Sequence, residues 1–210
     1  MTILAFDTCF GACSVALWST AQQAVVAERC EAMTKGHSER IVPMIAEVLA
    51  EAGIGIEAVT ALAVTIGPGS FTGVRTGIAV ARALVLANPR PIHVATSLRV
   101  MAAALREIEP AAPIAVAVAT RDGLVYFEAF DGPNLDGTVP PCLASPSAAI
   151  AMLGSGAHVI GGTGALLLIA ASAPSAASHR AIGIPIEPRA SALARFANRL
   201  PVAEPPKPLY

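Results

Sequence analysis

The first third of the chain alternates short apolar runs with turn residues. Residues 2–6 (TILAF) and 13–18 (CSVALW) flank a turn-rich DTCFGA, and 23–30 (QAVVAERC) follows. Three such runs in succession predict an antiparallel meander. Between Ser38 and Ala52 the period changes: Ile41, Val42, Met44, Ile45, Val48, Leu49 and Ala52 recur at helical spacing, with Glu39, Glu47 and Glu51 elsewhere on the circumference. Gly53 ends this amphipathic helix. Pro43 removes a backbone donor inside it, so the regular helix is expected to start near Val42 or to bend there. The apolar run 61–66 (ALAVTI) leads directly into GPGSFTG, and a helix is expected over 70–87, broken off by Asn88-Pro89. A strand at 92–95 and a helix at 97–108 complete a β-β-β-α-β-α-β unit with one further helix.

Pro110 and Pro113 punctuate the chain before a second strand-rich stretch at 114–119 and 124–130. Beyond it, 145–153 reads as helix, 157–161 as strand and 163–172 as helix. The expected organisation is an α/β protein with a first lobe over 1–105, a smaller second lobe over 106–200, and a proline-rich extended tail over 201–210. The lobe boundary falls near 98–112. The tail, PVAEPPKPLY, is expected to be extended, with Leu209 and Tyr210 packing on a lobe.

Composition narrows the function classes. The chain has 210 residues, 54% of them hydrophobic and 14% charged, with a mean hydropathy of +0.63, which excludes disorder as the main state. Forty-four alanines raise the apolar fraction while adding little buried area each. Residues 137–179 contain no Asp, Glu, Lys or Arg, yet prolines and glycines interrupt them too often for a spanning helix. A formal charge of −1 supplies no protein-wide positive field to hold a polyanion, so unaided nucleic-acid binding is not expected. The four cysteines (Cys9, Cys13, Cys30, Cys142) form no CxxC or Cys/His cluster, and Asp7 interrupts the apolar N-terminus. These features predict a reduced, cytoplasmic protein without a membrane segment.

The most informative segment is Gly67-Pro68-Gly69-Ser70-Phe71-Thr72-Gly73. One reading is structural, a tight turn with Ser70 capping the next helix. The other is functional: backbone N–H groups around Gly67, Gly69 and Ser70 could hold a phosphate or carboxylate. The segment is neither a P-loop nor a GxGxxG turn. Asp7-Thr8, ending the first strand, could likewise position a metal-bound phosphate or merely satisfy turn donors. The helix that follows is apolar on nearly its whole circumference, with only Arg75 and Arg82 charged. A helix packed on one sheet needs an apolar stripe of only about 100°, so a second cover is expected. That cover is either the neighbouring helix or another protein chain. His37, His93, His158 and His179 form no HExxH or other helical ligand pair, and no hydroxyl or thiol has an evident base, so neither a metal site nor a nucleophile is expected.

Four segments in this order, ILAFDTCFGACSVAL, GHSERIVPMIAEVLAEAG, IGPGSFTGVRTGIAVARAL and ATSLRVMA, resemble the N-terminal half of the TsaB (YeaZ) family. The likeness is strong over about residues 1–105 and fainter at TRDGLVY, Gly161–Ala165 and the terminal PLY. The resemblance implies the two-lobed fold of actin, sugar kinases and Hsp70-type ATPases (the RNase H-like, ASKHA class), with mixed sheets and flanking helices. It also implies a role in forming N6-threonylcarbamoyladenosine at position 37 of ANN-decoding tRNAs, as the non-catalytic partner of a TsaD-like paralogue with a TsaE-like ATPase joining them. tRNA would be reached through the complex, and ATP and metal would sit on partner subunits, with no intrinsic cofactor.

TsaD-type sequences carry a metal-binding histidine pair, where this chain has His37 and then Ile41. Where many relatives read DAR and GDG, it has Ala119-Thr120-Arg121 and Gly162-Thr163-Gly164. The family's pairing helices correspond to 37–52 and 70–87, which nominates Ile41, Met44, Ile45, Val48, Phe71, Val74, Arg75 and Ile78 for the heterodimer interface, or for a homodimer of the isolated chain. The competing class is a nucleotide-binding ATPase or phosphotransferase that uses Asp7, Thr8, Gly67, Gly69 and Ser70. A metalloprotease is disfavoured by the missing histidine pair.

Overall fold

The computed structural model describes residues 1–172, 179–182, 187–203 and 205–209. It divides into two units, Met1–Val100 with Pro188–Tyr210, and Met101–Glu187. In the first unit the strands are β1 (Thr2–Asp7), β2 (Ala12–Ser19), β3 (Ala24–Ala32), β4 (Ala61–Thr65) and β5 (Ile92–Ala95), with helices α1 (His37–Glu51) and α2 (Phe71–Ala87). Helix α3 (Ser97–Ile108) contains the division between units. The second unit holds β6 (Ile114–Ala119), β7 (Val125–Asp131), β8 (Asp136–Ala144), α4 (Pro146–Met152), β9 (Val159–Gly161), α5 (Ala165–Ala171) and β10 (Arg180–Ala181). Helix α6 (Ala190–Phe196) returns to the first unit.

Alternation along the strands sorts residues between the two faces of the first sheet. The meander β1-β2-β3 is antiparallel, and β4 and β5 add in parallel beyond β1, giving the order β3-β2-β1-β4-β5. On one face Leu4, Phe6, Val15, Leu17, Leu62 and Val64 form a core with Ile41, Met44, Ile45 and Val48 of α1. Fully burying each such side chain contributes about 2 kcal/mol. The other face is lined by small residues, with Ala5 in register between Ala16 and Ala63. Those short side chains let the alanine-rich α6 pack on β1, β2 and β3. Ser14 Oγ accepts the first helical N–H, from Ala190, at 3.0 Å.

The second sheet repeats the plan, with the order β10-β9-β6-β7-β8 and α4 and α5 in the places of α1 and α2. The duplicated mixed α/β fold is therefore the expected one.

Several elements depart from the sequence reading. Helix α1 starts at His37 rather than near Val42, with Pro43 inside it on the exposed side. The carbonyl that loses its partner belongs to exposed Glu39, one turn earlier. Strand β8 is not predicted by the sequence pattern, because Pro140 and Pro141 lie within it. It is an edge strand whose register against β7 shifts around those prolines, where a missing donor is tolerated. Helix α6 is likewise not predicted by the sequence pattern. It and the tail belong to the first unit, so the second unit ends before the expected residue 200. The tail runs back along β5, where Val94 N donates to Pro201 O (3.1 Å) and Ala203 N to Ile92 O (2.9 Å). Leu209 N then donates to Ile66 O at 2.7 Å, while Tyr210 lies outside the described residues.

Candidate functional site

The glycine turn and the first hairpin pack backbone against backbone. Ser70 caps α2, its Oγ accepting from Gly73 N at 3.1 Å, and Ser70 N donates to Cys9 O at 2.7 Å. A Cβ at Gly69 would lie 2.5 Å from Cys9 O, one at Gly73 2.0 Å from Thr8 O, and one at Gly67 2.2 Å from Leu209 O. Gly67 also has a φ of +105°, which side-chain-bearing residues rarely adopt. Ser97 N donates to Gly67 O at 2.9 Å, and Ser97 Oγ donates to Pro68 O. The close approach that a phosphate would need is thus taken by carbonyls of the chain itself.

Asp7 and Thr8 are built into the same knot. Asp7 is 1% exposed; Oδ1 accepts from Thr65 Oγ1, and Oδ2 accepts from Cys9 N at 3.2 Å. Thr8 Oγ1 donates to Gly73 O at 2.7 Å, tying the hairpin to α2. A carboxylate with both oxygens engaged and almost no exposed surface could ligate a metal only by dismantling these bonds. Burial, with the Asp7 charge adding to it, pushes the Cys9 thiol well above the ordinary range. The same causes push Cys13 up to about 12. Both thiols stay protonated and are poor nucleophiles. His37 is buried at the start of α1, its Nε2 3.1 Å from Phe10 O, and Ile41 one turn later belongs to the core. No group of three or more metal-ligating side chains occurs among the described residues.

The eight nominated interface residues separate sharply. Ile41, Met44, Ile45 and Val48 are at most 6% exposed within the first unit's core, and Val74 and Ile78 are buried with Cys9. A partner could not touch these six without opening the fold, which corrects the nomination: the apolar stripe of a globular helix faces its own core. Phe71 is 58% exposed, and the Arg75 guanidinium stacks over its ring 3.6 Å from the centroid. Val42, which the nomination omitted, is 57% exposed on α1. Helical periodicity did not single it out, since Val42 projects only about 20° from Leu49, which is buried in the core.

A family model described as TsaD: tRNA N6-adenosine threonylcarbamoyltransferase matches residues 25–164. The chain belongs to this family. Among curated relatives it is 40% identical over 127 residues to the tRNA threonylcarbamoyladenosine biosynthesis protein TsaB of Haemophilus influenzae, a match covering 60% of this chain and 52% of that protein. The chain thus spans about half the length of the curated relatives it matches. Among solved structures, YeaZ from Pseudomonas aeruginosa is 26% identical with a TM-score of 0.84, covering 100% of this chain and 99% of that one. A ROK hexokinase from Thermus thermophilus shares the fold alone, with a TM-score of 0.56 at 12% identity over 95% of this chain and 98% of that one. These likenesses place the chain beside TsaB/YeaZ proteins on an actin-like, sugar-kinase-like fold. No helix among the described residues is long and apolar enough to cross a membrane.

Proposed function

We propose that this chain is a non-catalytic subunit of a complex that transfers threonylcarbamoyl to N6 of adenosine 37 in ANN-decoding tRNAs. It acts by pairing the solvent sides of α1 and α2 with a TsaD-like paralogue. A TsaE-like ATPase joins the pair, tRNA is engaged through the complex, and ATP and metal are held by the partners in the cytoplasm. A homodimer of the isolated chain uses the same helical surface. The observation that carries this reading is that Val42 and Phe71 stand more than half exposed on two packed helices. The chain's own glycine turn, meanwhile, is filled by backbone. Apolar side chains left outward beside a stacked arginine are the composition of an interface centre.

The test is Val42→Glu with Phe71→Glu. Both sites are exposed, so folding stability should change by no more than about 0.5 kcal/mol each. Co-purification with the paralogue and tRNA modification should both be lost. Normal modification by a folded double variant would refute the reading. Val74→Glu and Ile78→Glu are unsuitable, because a charge buried there would unfold the unit. Tight binding and turnover of Mg-ATP by the chain alone would favour the phosphotransferase class instead.

A further inference from the structure

We propose that the groove between the last turn of α2 and the returning tail docks an extended acidic peptide segment of a partner protein, with Arg82 and Arg90 as its counter-charges. The proposal goes beyond the helix-pairing reading and does not rest on it. The groove has a volume of about 620 Å³, within the range of ligand-sized sites. Val85 and Leu86 line it from the helix and Pro205 and Pro206 from the tail, and its lining holds two arginines and no acid among the described residues. An extended proline strap opposite a helix leaves an open furrow, a shape that suits a chain segment better than a compact solute.

The two guanidiniums argue for the charge of the occupant. Arg82 holds the strap, donating from Nη2 to Pro206 O. Arg90 is 7% exposed: Nε donates to Asn88 O at 3.0 Å, and Nη1 donates to Ile56 O and Val59 O at 2.8 Å each. Its Nη2 is buried and meets no acceptor among the described residues. A buried guanidinium nitrogen without a partner is costly and is relieved by an acceptor. Among the described residues neither arginine joins an ion pair. Two arginines that join no ion pair among the described residues, beside apolar walls, fit a carboxylate next to an apolar side chain. Leu86, 87% exposed at the rim, is the apolar anchor.

The experiment titrates the isotope-labelled full chain with a capped tetrapeptide of alternating leucine and glutamate, and with its leucine–glutamine counterpart. Saturable resonance shifts at Leu86 and Arg90 are expected for the acidic peptide, with affinity at least about tenfold above the neutral one. The binding should weaken between about 0.05 M and about 0.5 M salt as screening grows. Leu86→Glu, at an exposed position that leaves the fold intact, should abolish it, and Arg82→Gln should weaken it. The proposal is overturned by any of four outcomes: no saturation, equal affinity for the two peptides, undiminished binding to Leu86→Glu, or full displacement by inorganic phosphate, which would mark a small-anion site. The peptide titration involves no paralogue, so its failure and a failure of helix pairing are read separately.

Discussion

Replacing Gly73 by Ala tests whether the glycine turn is a packing device or an anion cradle. The added methyl would lie 2.0 Å from Thr8 O and 2.6 Å from Ser70 Oγ, whereas ordinary contact begins at 3.4 Å. The hairpin carbonyl must therefore retreat by about 1.4 Å, and a backbone atom cannot rotate away as a side chain can. That movement breaks the 2.7 Å bond from Thr8 Oγ1 to Gly73 O, at a cost of about 1 kcal/mol. Loosening the Ser70 cap costs about 1 kcal/mol more. Overpacking adds about 2 kcal/mol. Alanine returns about 1 kcal/mol in helix propensity. The net loss is about 3 kcal/mol, roughly a hundredfold in the folded-to-unfolded ratio. Urea unfolding should show it as a lower midpoint with an unchanged slope. Gly77→Ala supplies the internal comparison. Its methyl meets Thr8 Oγ1 at 2.9 Å, and shifting that hydroxyl forfeits its bond to Gly73 O, about 1 kcal/mol, which alanine's helix propensity offsets, so its stability should stay within about 1 kcal/mol of the parent. If Gly73→Ala proves as stable as the parent, the backbone contact is not what selects glycine. If it also abolishes a measurable affinity for Mg-ATP, the cradle reading returns.

Leu193→Ala, at a wholly buried position of α6, should destabilise the first unit by about 3 kcal/mol. A loss under about 1 kcal/mol in urea unfolding would mean that α6 is not the cover of the alanine face. A second prediction concerns pH: His179 Nδ1 accepts the His158 backbone N–H at 3.2 Å, which requires the neutral ring. Burial, then the neighbouring His158, holds the His179 pKa below the ordinary value. The unfolded chain then binds the proton more readily, so this contribution is present above about pH 6.5 and is lost as pH falls through the depressed folded value. Hydrogen-exchange protection at Arg180 and Ile182, whose amides pair with His158 O and Ile160 O, should fall in that window and become pH-independent in His179→Gln. Constant protection in the parent between about pH 7.5 and pH 5 would refute the link.

How far the sequence could be read depended on which forces act locally. In the first unit α1 was legible because its buried face recurs at a helical period, the strands because they are short apolar runs bounded by turn residues, and the Ser70 cap because a single residue type carries it. Strand β8 was hidden because local preference opposes a strand at Pro140-Pro141, and only its position at a sheet edge makes that conformation acceptable. Helix α6 was hidden because its partner, the alanine face around Ala5, Ala16 and Ala63, lies more than 100 residues away in sequence. Six of the eight candidate partner contacts are buried for a related reason. A periodic apolar stripe reports burial without naming the cover, and on both helices the cover is the chain's own sheet and turn. Periodicity alone did not mark the outward residues: Phe71 projects about 20° from buried Ile78, and Val42 about 20° from buried Leu49.

The duplicated plan gives the same result twice. In the first unit the glycines at the start of α2 close on Thr8 O and Cys9 O, at the end of β1. In the second, a Cβ at Gly162 would lie 2.3 Å from Ala117 O, near the end of β6, just before α5. There Thr163 Oγ1 accepts from Ala119 N at 3.0 Å. In both halves, then, the strand-end and glycine-turn elements spend their polar groups on each other. A chain that satisfies those groups internally gains a rigid frame and loses the open donors that a phosphate would need. What such a frame can still offer is surface: helices held in fixed positions with Val42, Phe71 and Leu86 directed outward. Selection for partner binding would act on those outward residues while leaving the glycine turns under a packing constraint alone, and this separation is why substitutions at Phe71 and at Gly73 should fail in different assays.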